Sequence, residues 1–240
     1  STQGMMETVF GRKECYSLTE ELSARKSRLY RENCNPDRLL ASLFTDYGFI
    51  PEKDRWEMLH DLYMLASGCM DVDYLGVDLF RYLTEDESFA VWEVKNTMMY
   101  LQSGPSEEFG ARALSDAKPT LRHIVSEADR AISKGDISAT LRYGHDQNLV
   151  PLAALMGIEG CNIVDADGKD LYESWCDFLI TPMAANIQLV FFRSGSSDKI
   201  LVKILHNEKE VGIEGEEPVS FPYYDWEDLR CRFLSAAGKN

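Results

Sequence analysis

Residues 137–158 read ISATLRYGHDQNLVPLAALMGI, and the rest of the chain is best understood outward from them. Ile137, Ala139 and Leu141 alternate with Ser138, Thr140 and Arg142, the period of a half-buried strand, so a strand is expected over 137–143. Gly144 permits a backbone turn that a Cβ would resist. From Leu149 to Met156 nearly every residue is apolar, which predicts a helix buried on most sides. A proline is cheap only in a first turn, where its missing N–H has no intrahelical partner; Pro151 therefore places the N-cap at Gln147 or Asn148. His145 and Asp146 then fall in the loop just ahead of a helix N-terminus, whose spare N–H donors and dipole favour an anion. Strand, His-Asp and helix together read as a candidate phosphate site. The competing reading is a histidine and an aspartate that simply cap a helix, worth about 1 kcal/mol.

Upstream, residues 11–134 read as a run of helices. A highly charged helix is expected over 18–33, and a second over 38–46 capped by Asn35 or Asp37. Pro51 opens a third, over 52–67, and residues 79–83 form a short helical piece. Thr84 with Glu87 forms a capping box for a helix running to about Ser103. Gly104-Pro105 breaks the chain, and Pro119 is expected to start another helix, closed by Gly135. Downstream, segments 186–192 and 199–205 are β-rich and flank Ser194-Gly195-Ser196-Ser197, which predicts an antiparallel hairpin. Asp225 caps a last helix over 226–236. Helices first and a strand-bearing unit after them imply an α/β (α+β as it stands) architecture, with a helical domain over 11–134 beside a unit over 135–240.

The 240 residues suffice for one large domain or two small ones. A formal net charge of −15 argues against general binding to nucleic acid or to an anionic membrane, which needs a basic face. It also sits awkwardly with a highly anionic substrate, unless a local basic pocket receives it. No apolar run of about 18 residues predicts a membrane span. The start, STQGMMETVF, has neither the features of a signal peptide nor an initiator Met, so upstream sequence is expected. None of the six cysteines forms a Cys-x-x-Cys pair; disulfides and free thiols are both compatible with them.

Other chemistry-bearing residues have ordinary readings. Asp165, Asp167 and Gly168 look like a calcium loop but fail its spacing, and an Asx/Gly turn is expected. His60-Asp61 is a second His-Asp pair, here on a helix surface; two such pairs raise a metal-dependent phosphohydrolase as an alternative. Arg122-His123 reads as ordinary helix surface, and His206, before Asn207-Glu208, as part of a turn with local hydrogen bonds.

LRYGHDQNLVPLAALMGI resembles the C-terminal His-Asp motif of the histidine acid phosphatases, the second branch of the histidine phosphatase superfamily. WEVKNTMMYLQSGPS at 92–106, PMAANIQLVFFRS at 182–194, ILVKILHNEKEVGI at 200–213 and PYYDWEDL at 222–229 resemble the multiple inositol-polyphosphate phosphatase, or phytase-like, subgroup. The resemblance implies an α/β core with a helical insertion, here 11–134, and the final core strands over 136–240. It also implies a metal-free, cofactor-free phosphomonoester hydrolase. A nucleophilic histidine takes the phosphoryl group, an acid protonates the leaving alkoxide, and water hydrolyses the phosphohistidine. Asp146 then becomes the proton donor, provided its surroundings hold it protonated at the working pH, and His145 contacts a phosphate oxygen. Some members carry His-Ala-Glu at this place, where this chain has His-Asp.

The family's nucleophile sits in an Arg-His-Gly motif near the start of the protein, and none occurs here; Arg122-His123-Ile124 is no substitute. The chain thus resembles the C-terminal part of such an enzyme. The expectation is that the nucleophile and the arginine clamp lie upstream, and that the missing N-terminal segment of the same protein completes the sheet. The fragment alone is expected to be inactive. The alternative is a non-catalytic binding or scaffold module derived from the fold. The expected partner is a phosphorylated small molecule such as an inositol polyphosphate, and the family implies a periplasmic or secreted location.

Overall fold

The computed structural model describes residues 12–135, 137–164, 170–195 and 197–238. The chain divides into two compact units between Met98 and Met99.

The first unit is helical: α1 (Arg12–Asn33), α2 (Asp37–Leu43), α3 (Arg55–Cys69) and the first part of α4 (Glu85–Ser103), with 3-10 turns at Glu52–Asp54, Met70–Leu75 and Phe80–Tyr82. Its core gathers Tyr30, Leu39, Leu59, Val91 and Val94, with Tyr30 stacked on Trp56 at 4.6 Å between ring centroids. Asn35 starts α2, its Oδ1 accepting the Asp37 N–H at 3.0 Å. The capping box forms as expected: Thr84 Oγ1 accepts the Glu87 N–H at 3.1 Å, and Glu87 Oε2 accepts the Thr84 N–H at 2.9 Å. Glu87 also receives Arg38, whose Nε donates to Oε1 at 2.7 Å, so one carboxylate closes the helix start and anchors α2. Thr84→Ala is therefore expected to destabilise this unit by about 1 kcal/mol, read as a lower denaturation midpoint with an unchanged slope.

The second unit holds α5 (Gly110–Lys134), α6 (Asp146–Met156), the short α7 (Asp177–Ile180), α8 (Trp226–Ala236) and an antiparallel sheet. The expected hairpin is present. β1 (Ile187–Ser194) pairs with β2 (Ser197–His206) from Ile187 opposite His206 to Arg193 opposite Ile200. β3 (Lys209–Glu210) and β4 (Tyr223–Asp225) add to β2, which makes β2 the centre of the sheet. Asp225 caps α8, its Oδ1 accepting the Glu227 N–H at 3.0 Å. The core draws Leu121 and Val125 from α5, Val150 and Met156 from α6, Val202 and Ile204 from β2, and Leu229 and Phe233 from α8. Two polar ties join α5 to the end of the chain. Asp129 accepts from Trp226 Nε1 at 3.1 Å and from Arg230 Nε at 2.8 Å, and Arg122 Nη2 donates to the Ala237 carbonyl at 2.7 Å. Arg122 is thus a structural tie rather than ordinary helix surface.

Pro119 does not start a helix; it lies inside α5. The missing N–H costs one backbone bond. The buried stripe Ala113, Ala117, Leu121, Val125 and Ala128 runs straight through it, and that continuous packing outweighs the lost bond. The packing boundary at 98/99 therefore falls earlier than the change from helix to strand near residue 135, because α5 packs against α6 and α8. Cys34, Cys69, Cys161, Cys176 and Cys231 are free thiols. Among the described residues, no helix is long and apolar enough to cross a membrane.

Candidate functional site

The segment leading to His145 is irregular, with a bend at Ser138, and is not a strand. Among the described residues, 137–145 joins no ladder. The alternation in its sequence is genuine, yet a strand exists only when a neighbour takes its N–H and C=O groups, and β1–β4 pair among themselves elsewhere. The side chains that alternation would bury are uncovered: Leu141 is 75% exposed, and its neighbour Tyr143 is 92% exposed.

α6 begins earlier than Pro151 implied. His145 is its N-cap, with φ −110° and ψ 165°, and Asp146 is its first residue; Pro151 lies within the helix. The proline leaves the Gln147 carbonyl without its helical partner, which the burial of Val150, Pro151, Ala153, Ala154, Leu155 and Met156 offsets. The expected buried helix is thus present, and Gly157 closes it at φ 76°, in the left-handed region. The spare amides expected at its start are mostly taken. Asp146 Oδ1 accepts the Gln147 N–H at 2.7 Å, and the His145 carbonyl accepts those of Asn148 and Leu149 at 2.9 and 3.2 Å. Both candidate side chains, His145 and Asp146, are exposed. An anion here is therefore met by side chains and the helix dipole more than by free amides. Two surface clefts, one beside Arg193 and Asp198 and one beside Glu216 and Arg232, are lined by neither residue.

His60 Nδ1 is 3.0 Å from Asp61 Oδ1, and the His60 ring sits edge-on to Tyr30, in the helical unit. Among the described residues, no group of three or more His, Cys, Asp or Glu is arranged to hold a metal. Asp165, Asp167 and Gly168 lie outside the described residues.

His206 is not a turn residue with local bonds. It is 8% exposed, and its Nε2 donates to the Ile180 carbonyl at 2.8 Å, which leaves Nδ1 as acceptor 3.8 Å from Cys161 Sγ. Burial pushes the His206 pKa down, against the Ile180 hydrogen bond. Burial, with Glu214 nearby, pushes the Cys161 thiol up to about 12, so it stays a neutral S–H. The unfolded chain binds a proton at His206 near pH 6.5, where the folded chain still resists it. The stability supplied by neutral His206 is therefore complete above about pH 6.5 and is lost as pH falls through the lowered folded value. Urea titrations between pH 7.5 and 5 are expected to show this loss, and a His206→Gln variant is expected to show a shallower one.

His123, read from the sequence as ordinary helix surface, lies on α5 and meets the segment that leads to His145. Its Nδ1 accepts a hydrogen bond from Arg142 Nη2, across 19 positions of sequence. Only the placement of Arg142 three residues before His145 could have signalled it.

In fold the chain is similar to the multiple inositol polyphosphate phosphatase of Bifidobacterium longum. Against its complex with inositol hexasulfate, the TM-score is 0.64 at 23% identity, over 75% of this chain and 38% of that one. Against its phosphate complex, the values are 0.64 and 23%, over 78% and 40%. Against the apo form they are 0.63 and 24%, over 75% and 39%. The chain thus spans about two fifths of the length of these structures. No family model matches the sequence, and no curated protein sequence matches it significantly.

Proposed function

We propose that the chain is the C-terminal part of a phosphomonoester hydrolase acting on inositol polyphosphates through a phosphohistidine. The observation that carries the proposal is the position of His145 and Asp146 at the N-cap and first residue of α6, in a fold shared with a phosphatase whose crystals hold phosphate and inositol hexasulfate. The nucleophilic histidine belongs to a segment of the same protein upstream of these residues. Its ring nitrogen attacks phosphorus, and the P–O bond to the alcohol breaks. Asp146 gives its proton to the departing alkoxide oxygen. Water then attacks the phosphohistidine, and phosphate leaves. His145 donates a hydrogen bond to a phosphate oxygen as charge builds there.

The uncovered flank of 137–145 fits this division. A strand pairing along it would bury Leu141 and close the flank that leads to His145 and Asp146. No metal or cofactor takes part in this scheme, and a periplasmic or secreted location accompanies it.

The test is phosphate release from inositol hexakisphosphate by the protein at its natural length, compared with Asp146→Asn. Release that depends on Asp146, with a base-stable, acid-labile phosphoryl-enzyme trapped during turnover, is the expected result. Wild-type release by Asp146→Asn from an alkyl phosphate would remove the donor role. Calorimetry with inositol hexasulfate, which cannot be turned over, reads binding separately from chemistry.

A further inference from the structure

We propose that Arg142 binds a second phosphate group of the substrate, so that the site prefers multiply phosphorylated ligands, and that His123 holds its guanidinium in place; this rests on the phosphatase reading above. A chain with 40 acidic and 25 basic residues repels a polyanion unless positive charge is left over locally. Several described guanidiniums lie on carboxylates and leave none, while Arg81, Arg122 and Arg193 donate to neutral oxygens. Arg38, Arg230 and Arg232 lie on Glu87, Asp129 and Glu216, and Arg130 lies on Glu127. Arg142 instead donates to an imidazole nitrogen, and both residues are exposed.

Glu127 stands one helical turn beyond His123. Its carboxyl is held below the usual range first by the hydrogen bond from Arg130, with the charges of Arg130 and Arg142 adding to it. Arg142 thus brings positive charge to a neighbourhood whose carboxylate, Glu127, is already paired with Arg130. Accepting from Arg142 requires an unprotonated His123 Nδ1, and it occupies one of five guanidinium N–H donors. The remaining donors are available to phosphate oxygens, for which the planar guanidinium is well shaped.

Distance assigns which phosphate is met. Two residues, Tyr143 and Gly144, lie between Arg142 and His145, a reach of at most roughly 10 Å of backbone. An arginine so placed reaches a neighbouring phosphate on the same ring rather than the one being transferred at His145 and Asp146. A ligand with one phosphate gains nothing from it.

The experiment compares KM and kcat for inositol hexakisphosphate and for p-nitrophenyl phosphate, using the natural-length protein. Arg142→Ala and Arg142→Gln are expected to raise KM for the hexakisphosphate about ten- to a hundredfold, the loss of a charged hydrogen-bonded contact. Both kcat values and the KM for the monophosphate should stay near wild type. His123→Phe should reproduce part of the KM rise, and His123→Gln, which keeps an acceptor, should restore it. Unchanged KM for the hexakisphosphate, or equal rises for both substrates, would overturn the role of Arg142. A His123→Phe variant that behaves as wild type would overturn the role of His123. If the wild type hydrolyses neither substrate, the phosphatase reading fails by itself. Calorimetry then decides the inference: weaker inositol hexasulfate binding in Arg142→Ala sustains it, and unchanged or absent binding ends it.

Discussion

Asp146→Asn is expected to lower kcat for inositol hexakisphosphate about 10²- to 10⁴-fold, the usual contribution of a positioned general acid. The size of the loss should depend on the leaving group. An inositol alkoxide is a strong base and departs only as its oxygen is protonated. A p-nitrophenolate is stable as an anion and departs with little help. The variant should therefore lose far less activity on the aryl ester, and the ratio of the two losses measures proton donation directly. Stability is not expected to account for the effect. Asp146 is exposed and makes one described hydrogen bond, to the Gln147 N–H, which an asparagine Oδ1 also accepts. Such a change is worth within about 0.5 kcal/mol. Equal losses on both esters would place Asp146 in binding or positioning rather than in proton transfer.

What the sequence made legible was local. Thr84 and Glu87 cap α4, and Asp225 caps α8, because each bond is made between residues two or three apart. The β1–β2 hairpin followed from two β-rich runs around a Gly-Ser turn. The proline signals misled. Pro119 and Pro151 mark helix starts by backbone chemistry alone, but apolar stripes that pack against the core carry both helices across them. The segment 137–143 has strand periodicity without a strand, since alternation specifies a face and not a partner. His145 and Asp146 stand as candidates because one stretch carries both. His123 meets Arg142 and His206 meets Ile180 through folding of distant segments, and no spacing rule connects them.

Phe233→Ala is expected to have the largest effect on stability, about 3–5 kcal/mol, because it removes a fully buried ring and leaves a cavity. Phe233 lies on α8, in the same core as Val150 and Met156 of α6 and Leu121 and Val125 of α5. The neighbours have limited freedom to close the gap. Asp129 holds Trp226 and Arg230 on one side of α8, and Arg122 holds the Ala237 carbonyl at its end, so the helix is fastened to α5 both before and after Phe233. A fastened helix collapses less into a cavity, which pushes the cost toward the upper end of that range. Thermal unfolding of the second unit should fall by roughly 10 °C or more. Met183→Ala, at a position 85% exposed, is the control and should change stability by no more than about 0.5 kcal/mol. The functional consequence is indirect. α6 presents His145 and Asp146 from this core, so Phe233→Ala should lose inositol hexasulfate binding only as the unit unfolds and retain it at temperatures where the fold persists. Loss of binding while the unit remains folded would show that the core sets the position of α6 finely enough to control the site.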